Sequence, residues 1–121
     1  MKINNKIKNL ISSKILIMEE SKIENRNKIE KSELLKDEKL KNIVEHEMLF
    51  NASCIHLLKS FLEDDDIKIS KYYNTTKQYG EKLVNLSLIY NKKLNLFYKD
   101  KFKSFNDFIF IMYPKLLFNE G

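Results

Sequence analysis

Two glycines, one proline and no tryptophan occur in 121 residues. A many-stranded sheet draws on glycine and proline for its tight, regularly spaced turns, so their scarcity excludes that class. It also removes reaction classes. Phosphate-cradling loops, dinucleotide fingerprints and nucleophile elbows need glycines at set spacing, and Gly80 and Gly121 supply no such pattern.

The lone Cys54 cannot close an internal disulfide, which points to a reducing, cytoplasmic setting. Arg26 is the only arginine; every other basic residue is lysine. Base reading by planar, bidentate guanidinium groups is therefore not expected. No stretch approaches the roughly 20 apolar residues that span a bilayer, so no transmembrane segment is expected. Residues 1–18 hold Lys2, Lys6, Lys8 and Lys14 without an acid, yet Lys14 interrupts the apolar run and no small-residue cleavage site follows. That argues against a targeting segment.

What the chain does contain is apolar residues at helical spacing. Ile3, Ile7, Leu10, Ile11, Ile15 and Met18 line one side of an amphipathic helix over 1–18. Residues 19–31 offer only Ile23 and Ile29 among charges, the composition of a solvated helix or tether. Ser32 followed by Glu33 reads as a helix start. From there to about residue 63, Leu40, Ile43, Glu47, Phe50, Cys54, Leu57 and Phe61 alternate three- and four-residue steps. Val44, Met48, Ile55, Leu58 and Leu62 widen this stripe to about half the circumference, enough to pack against two neighbours.

Asp64, Asp65 and Asp66 suit a turn followed by a helix N-terminus. No calcium-loop spacing follows them, and no metal site is expected. The next series, Ile69, Tyr72, Thr76, Tyr79, Leu83, Leu86, Tyr90, Leu94 and Phe97, keeps helical phase across Gly80, predicting one helix over about 67–99, bent if anywhere at the glycine. Val84, Leu88, Ile89 and Leu96 fall off that stripe and need cover of their own. Ser104 reads as the cap of a short apolar C-terminal helix that includes Phe105, Phe108, Phe110, Met112 and Leu117, with a strand over 108–113 as the competing reading.

These segments predict an all-α fold. It is a bundle of four or five helices forming a single domain over 1–121, with two long antiparallel helices (about 33–63 and 67–99) and the short C-terminal one.

Chemistry-bearing residues are few. His46 and His56 stand ten apart on one helix, hence about 80° apart around it, and share no face. His46 lies between Glu45 and Glu47, but the three project in different directions, and Cys54 sits on the apolar stripe away from both histidines. Glu47 is the oddity: a carboxylate inside an apolar stripe needs a partner. No catalytic residue, cofactor or small-molecule partner is expected.

Charge is uneven. Residues 40–66 carry six acids against Lys41 and Lys59, whereas 67–103 carry nine lysines against Glu81 and Asp100. Part of that contrast serves attraction between the two long helices.

Three functions follow, in order of preference. The first is a non-enzymatic interaction protein, an assembly subunit or a small inhibitor or adaptor. It would bind a protein partner or further copies of itself through Val84, Leu88, Ile89, Leu96, Phe105, Phe110, Met112 and Leu117. The second is nucleic-acid backbone binding through Lys71, Lys82, Lys92, Lys93 and Lys99 beside Tyr98. The third is a small enzyme whose site is completed by oligomerisation around Glu47 or His46.

Overall fold

The structure is a computed structural model that describes residues 5–31 and 37–114. The fold is all-α: the described residues form four helices, α1 (Asn5–Lys31), α2 (Glu38–Glu63), α3 (Asp66–Tyr90) and α4 (Lys92–Met112), and no strand. They fall into two compact units, Met1–Leu83 and Val84–Gly121. The apolar run at 108–113 is helical as far as Met112.

In the first unit, α1 runs unbroken through the polar 19–31 stretch. Ile11 and Ile15 are its buried contacts. Leu10, expected on the inner side, is instead exposed. It lies about 100° around the helix from Ile11, on the edge of a narrower buried face.

α2 begins at Glu38 behind Asp37, whose carboxylate accepts from Lys39 N (3.1 Å) and Leu40 N (3.2 Å). These bonds satisfy amides that a helix start leaves unpaired. The start expected at Ser32 lies outside the described residues; the cap that the structure shows is Asp37, followed at once by the acid Glu38. Burial then covers half of the α2 circumference, from Ser53 and Ser60 on one flank through Ile43, Phe50, Cys54, Leu57 and Phe61 to Ile55 on the other.

Two neighbours account for that width. α1 packs along α2, and an exposed Lys59–Glu19 pair at 3.2 Å adds little beyond orientation. α3 lies antiparallel on the other flank: Ser53 meets Thr76, His56 stacks on Tyr72, and Glu63 meets Lys68, so partner numbers fall as α2 numbers rise. The Ser53–Thr76 contact, 2.6 Å between hydroxyl oxygens, is buried. Thr76 Oγ1 donates to the Tyr72 carbonyl at 2.7 Å, so its one proton is committed and Ser53 must be the donor to Thr76.

The three aspartates between α2 and α3 do three different jobs. Asp64 takes φ 55° and ψ 40°, the left-handed conformation that closes a helix. Its N–H donates to Phe61 O, and the Asp65 N–H reaches Ser60 O at 3.3 Å, together the paired bonds of a Schellman end. Asp65 then caps α3, accepting from Ile67 N and Lys68 N, both at 3.1 Å. Asp66 supplies the acid of the first turn.

α3 is continuous through Gly80, which is buried. The buried line is Ile69, Tyr73, Thr76, Gly80, Leu83 and Ser87, one step around from the tyrosine line that the sequence suggests; Tyr72, Tyr79 and Leu86 are half-buried beside it. Gly80 thus lies on the buried line, and the helix does not end there.

The break comes later. The single helix expected over 67–99 is divided at Asn91, the one residue between α3 and α4. The short C-terminal helix expected to start at Ser104 is the second half of α4. Asn91 is extended (φ −165°, ψ 157°); its N–H donates to Ser87 O at 3.1 Å and its Oδ1 accepts from Leu94 N at 2.8 Å. It therefore closes one helix and caps the next.

In the second unit, the end of α3 and α4 double back on each other. Asn95 Nδ2 donates to Val84 O at 2.9 Å and lies 3.3 Å from Ser87 Oγ, which itself donates to Val84 O at 2.8 Å. Eleven residues of uninterrupted helix would separate Val84 and Asn95 by about 16 Å, so this knot requires a sharp corner at Asn91. Asn95, Tyr98, Phe105 and Ile109 form the buried line of α4 at helical spacing.

Candidate functional site

The corner at Asn91 restarts the helical phase, and that restart decides which side chains face solvent. Before it, Leu88 and Ile89 are 62% and 76% exposed, opposite the line through Leu83 and Ser87. After it, Leu96 and Phe97 are 55% and 58% exposed. A ten-residue window thus holds four large apolar side chains more than half exposed, two in the last turn of α3 and two early in α4, where the Phe97 ring also meets Tyr98 edge-on with ring centroids 5.1 Å apart. Burying such groups is worth up to about 1.5–3 kcal/mol each, so leaving four of them in water is a cost that the fold itself does not recover.

Lysines flank this apolar group. On α4, Lys92, Lys93 and Lys99 lie four and three residues before and three after Leu96, all neighbours of it on the helix surface, and all are exposed. On α3, Lys82 precedes Ile89 by two turns on the same side and is exposed. Among the described residues none of these four makes an ion pair. The start of α4 carries no acid, unlike α2 with Glu38 and α3 with Asp66. Two lysines at the positive end of a helix dipole are unfavourable on their own account.

The residues expected to form the binding surface divide. Leu88, Ile89 and Leu96 are exposed; Val84, Phe110 and Met112 are half-buried; Leu117 lies outside the described residues. Phe105 is only 5% exposed. An exposed Phe105 assumes a helix starting at Ser104, whereas the residue sits mid-helix on the buried line of α4. Phe97, Ile67 (84% exposed) and, on α1, Leu16 and Ile17 are exposed apolar residues that spacing alone does not single out. The signal for Phe97 was masked because it continues the α3 phase past a corner that resets it.

The lysine strip changes as well. Lys71 stands 5.8 Å from the ring centroid of Tyr72, which stacks at 5.4 Å on His56, so Lys71 already has an intramolecular contact. Tyr98, expected as an exposed aromatic beside the lysines, is 4% exposed and cannot stack on a base.

Groups with acid–base potential do not converge. His46 is half-buried with Nδ1 2.8 Å from the Asn42 carbonyl, and Glu47 is half-buried and has a partner. Glu38, Lys41, Asn42 and Glu45 line a shallow polar hollow, all from one helix. Cys54 is fully buried and forms no disulfide. Among the described residues no cluster of three or more histidine, cysteine or acidic side chains is placed to hold a metal. No described helix is long and apolar enough to cross a membrane.

Comparison with known proteins gives no matching family model, no matching curated protein and no matching solved structure.

Proposed function

We propose that this chain is a non-enzymatic binding protein, an assembly subunit or a small inhibitor or adaptor, whose contact surface is the apolar corner around Asn91. The observation that carries the reading is the exposure of Leu88, Ile89, Leu96 and Phe97 within one window. Side chains of this kind anchor protein interfaces by filling pockets on a partner, and a lysine rim sets which partners are tolerated. The buried, unoxidised thiol of Cys54 fits a reducing, cytoplasmic home.

A photo-activatable amino acid placed at Ile89 or Leu96, with Gln78 as an exposed control on α3, tests this in the native cell. Discrete protein adducts from the first two positions and none from the control are expected. Labelling of the same intensity and pattern at all three positions rejects the surface.

A second reading has support from the exposed Lys82, Lys92, Lys93 and Lys99. Such a group can hold nucleic-acid phosphates by counterion release, without base reading. It predicts a steep loss of RNA or DNA binding with added salt, which flattens in the Lys92→Gln, Lys93→Gln variant. Binding by that variant with the full salt slope rejects it.

A further inference from the structure

α3 starts at one exposed apolar corner and ends at another, and the two have opposite charge. At its start, Ile67 is 84% exposed, more than any other large apolar side chain described. Glu63, Asp64 and Asp66 beside it are all exposed. Lys68, the adjacent base, is held by Glu63 at 3.0 Å, so the rim around Ile67 remains net acidic. At the end of α3, Leu88 and Ile89 are exposed, as is Leu96 early in α4, and the exposed Lys92, Lys93 and Lys99 of α4 make no ion pair among the described residues.

We propose that the lysine-flanked corner of one copy receives the Ile67 corner of a second copy of this chain. The inference rests on the binding reading above and names the partner. Each corner offers what the other lacks: one projecting aliphatic group with acids around it, and an aliphatic group with bases around it. Each copy has a formal charge of +5, which by itself opposes association. Charges separated by more than about 8 Å are screened at physiological ionic strength, so the sign of the touching surfaces outweighs the net charge. A lipid surface or a polyanion would use the lysine corner and leave Ile67 idle, and that difference separates the readings.

Because the two corners differ, the contact is heterologous: every copy has one face that gives and one that receives. Association then continues beyond two copies unless a ring closes. Removing one face from each of two populations leaves only one productive pairing between them.

The test is sedimentation velocity on the full chain. The giving face is removed by Ile67→Ser, and the receiving face by Ile89→Ser with Leu96→Ser; all three positions are more than half exposed, so the helices are retained, as circular dichroism checks. Wild-type protein is expected to grow in average mass with concentration, and each variant alone to associate at least about tenfold more weakly. Their equimolar mixture is expected to form one-to-one heterodimers and nothing larger. Lys92→Glu with Lys93→Glu, which leaves the apolar groups in place and puts acids at the α4 N-terminus, is expected to weaken association of the wild type as well.

A wild type that stays monomeric overturns the proposal, as does self-association indifferent to Ile67→Ser, or a mixture without heterodimers. If the chain stays monomeric while cross-links from Leu96 to other proteins persist, the second-copy partner falls and the binding reading stands. Binding to phosphatidylserine vesicles that Ile67→Ser leaves intact, without self-association, assigns the lysine corner to lipid and also overturns the proposal.

Discussion

The corner between α2 and α3 and the corner between α3 and α4 solve the same chemical problem with different residues. At the first, separate aspartates end one helix, cap the next and complement its dipole. At the second, Asn91 performs both capping tasks alone, and lysines occupy the first turn where an acid would be favoured. Both corners leave apolar side chains exposed, Ile67 at the first and Leu88, Ile89 and Leu96 at the second, but acids surround the first and lysines the second. The difference teaches that helix ends with equally complete hydrogen bonding can differ in the sign of the charge they present to a neighbour.

The largest expected effects come from the cores behind these corners. Phe50 is 2% exposed and Phe97 58% exposed, so Phe50→Ala is expected to cost about 3–5 kcal/mol in urea unfolding and Phe97→Ala less than about 0.5 kcal/mol. Equal losses would mean that Phe97 is covered by the protein itself, and the second corner would no longer stand apart. Next comes Asn95, whose amide ties α4 to Val84 O and Ser87 Oγ. Asn95→Leu is expected to cost about 1–3 kcal/mol, because the polar atoms it answers remain buried. An unchanged urea midpoint would show that the corner is held by Asn91 alone.

A subtler comparison involves the hydroxyl pair in the first unit. Ser53→Ala and Thr76→Val are each expected to cost about 1 kcal/mol, and the double variant less than their sum, because a shared bond is lost once. Strict additivity of the three midpoints would contradict the pairing. Of the corner substitutions, Asp64→Gly is expected to stabilise by about 0.5–1 kcal/mol. Glycine takes the left-handed conformation without the strain of a side chain. The last effect is the smallest. The hydrogen bond and charge of Glu63 hold the exposed Lys68 ammonium above its ordinary 10.5. A raised folded value means that this contribution is complete below that pH and fades only as pH climbs past it. Stability should therefore be insensitive to Lys68 between pH 6 and pH 9, and a Glu63→Gln variant should differ from wild type by the same small amount throughout that range.

The sequence makes the helical class legible because scarce glycine and proline and the three-and-four spacing agree. The width of the α2 stripe anticipates its two neighbours for the same reason. The turn-and-cap reading of the three aspartates also holds, since acids at that junction have only one favourable arrangement. What spacing hides is the corner at Asn91: Tyr90, Leu94 and Phe97 continue the preceding phase, no glycine or proline interrupts them, and lysines follow the cap where acids would announce it. Leu88, Ile89 and Leu96 were nevertheless found as apolar residues without a partner stripe. Spacing misplaces Phe105 and Tyr98, because their exposure depends on a phase that restarts at Asn91.

That single residue also limits how this molecule can vary. Its amide finishes α3, its side chain begins α4, and its carbonyl takes the Asn95 N–H at 3.1 Å, so the joint has no spare link. Adding or deleting one residue there would separate these bonds, because no one residue could then serve both helix ends. Descendants of this chain can change the chemistry of that elbow by substitution, but not its length.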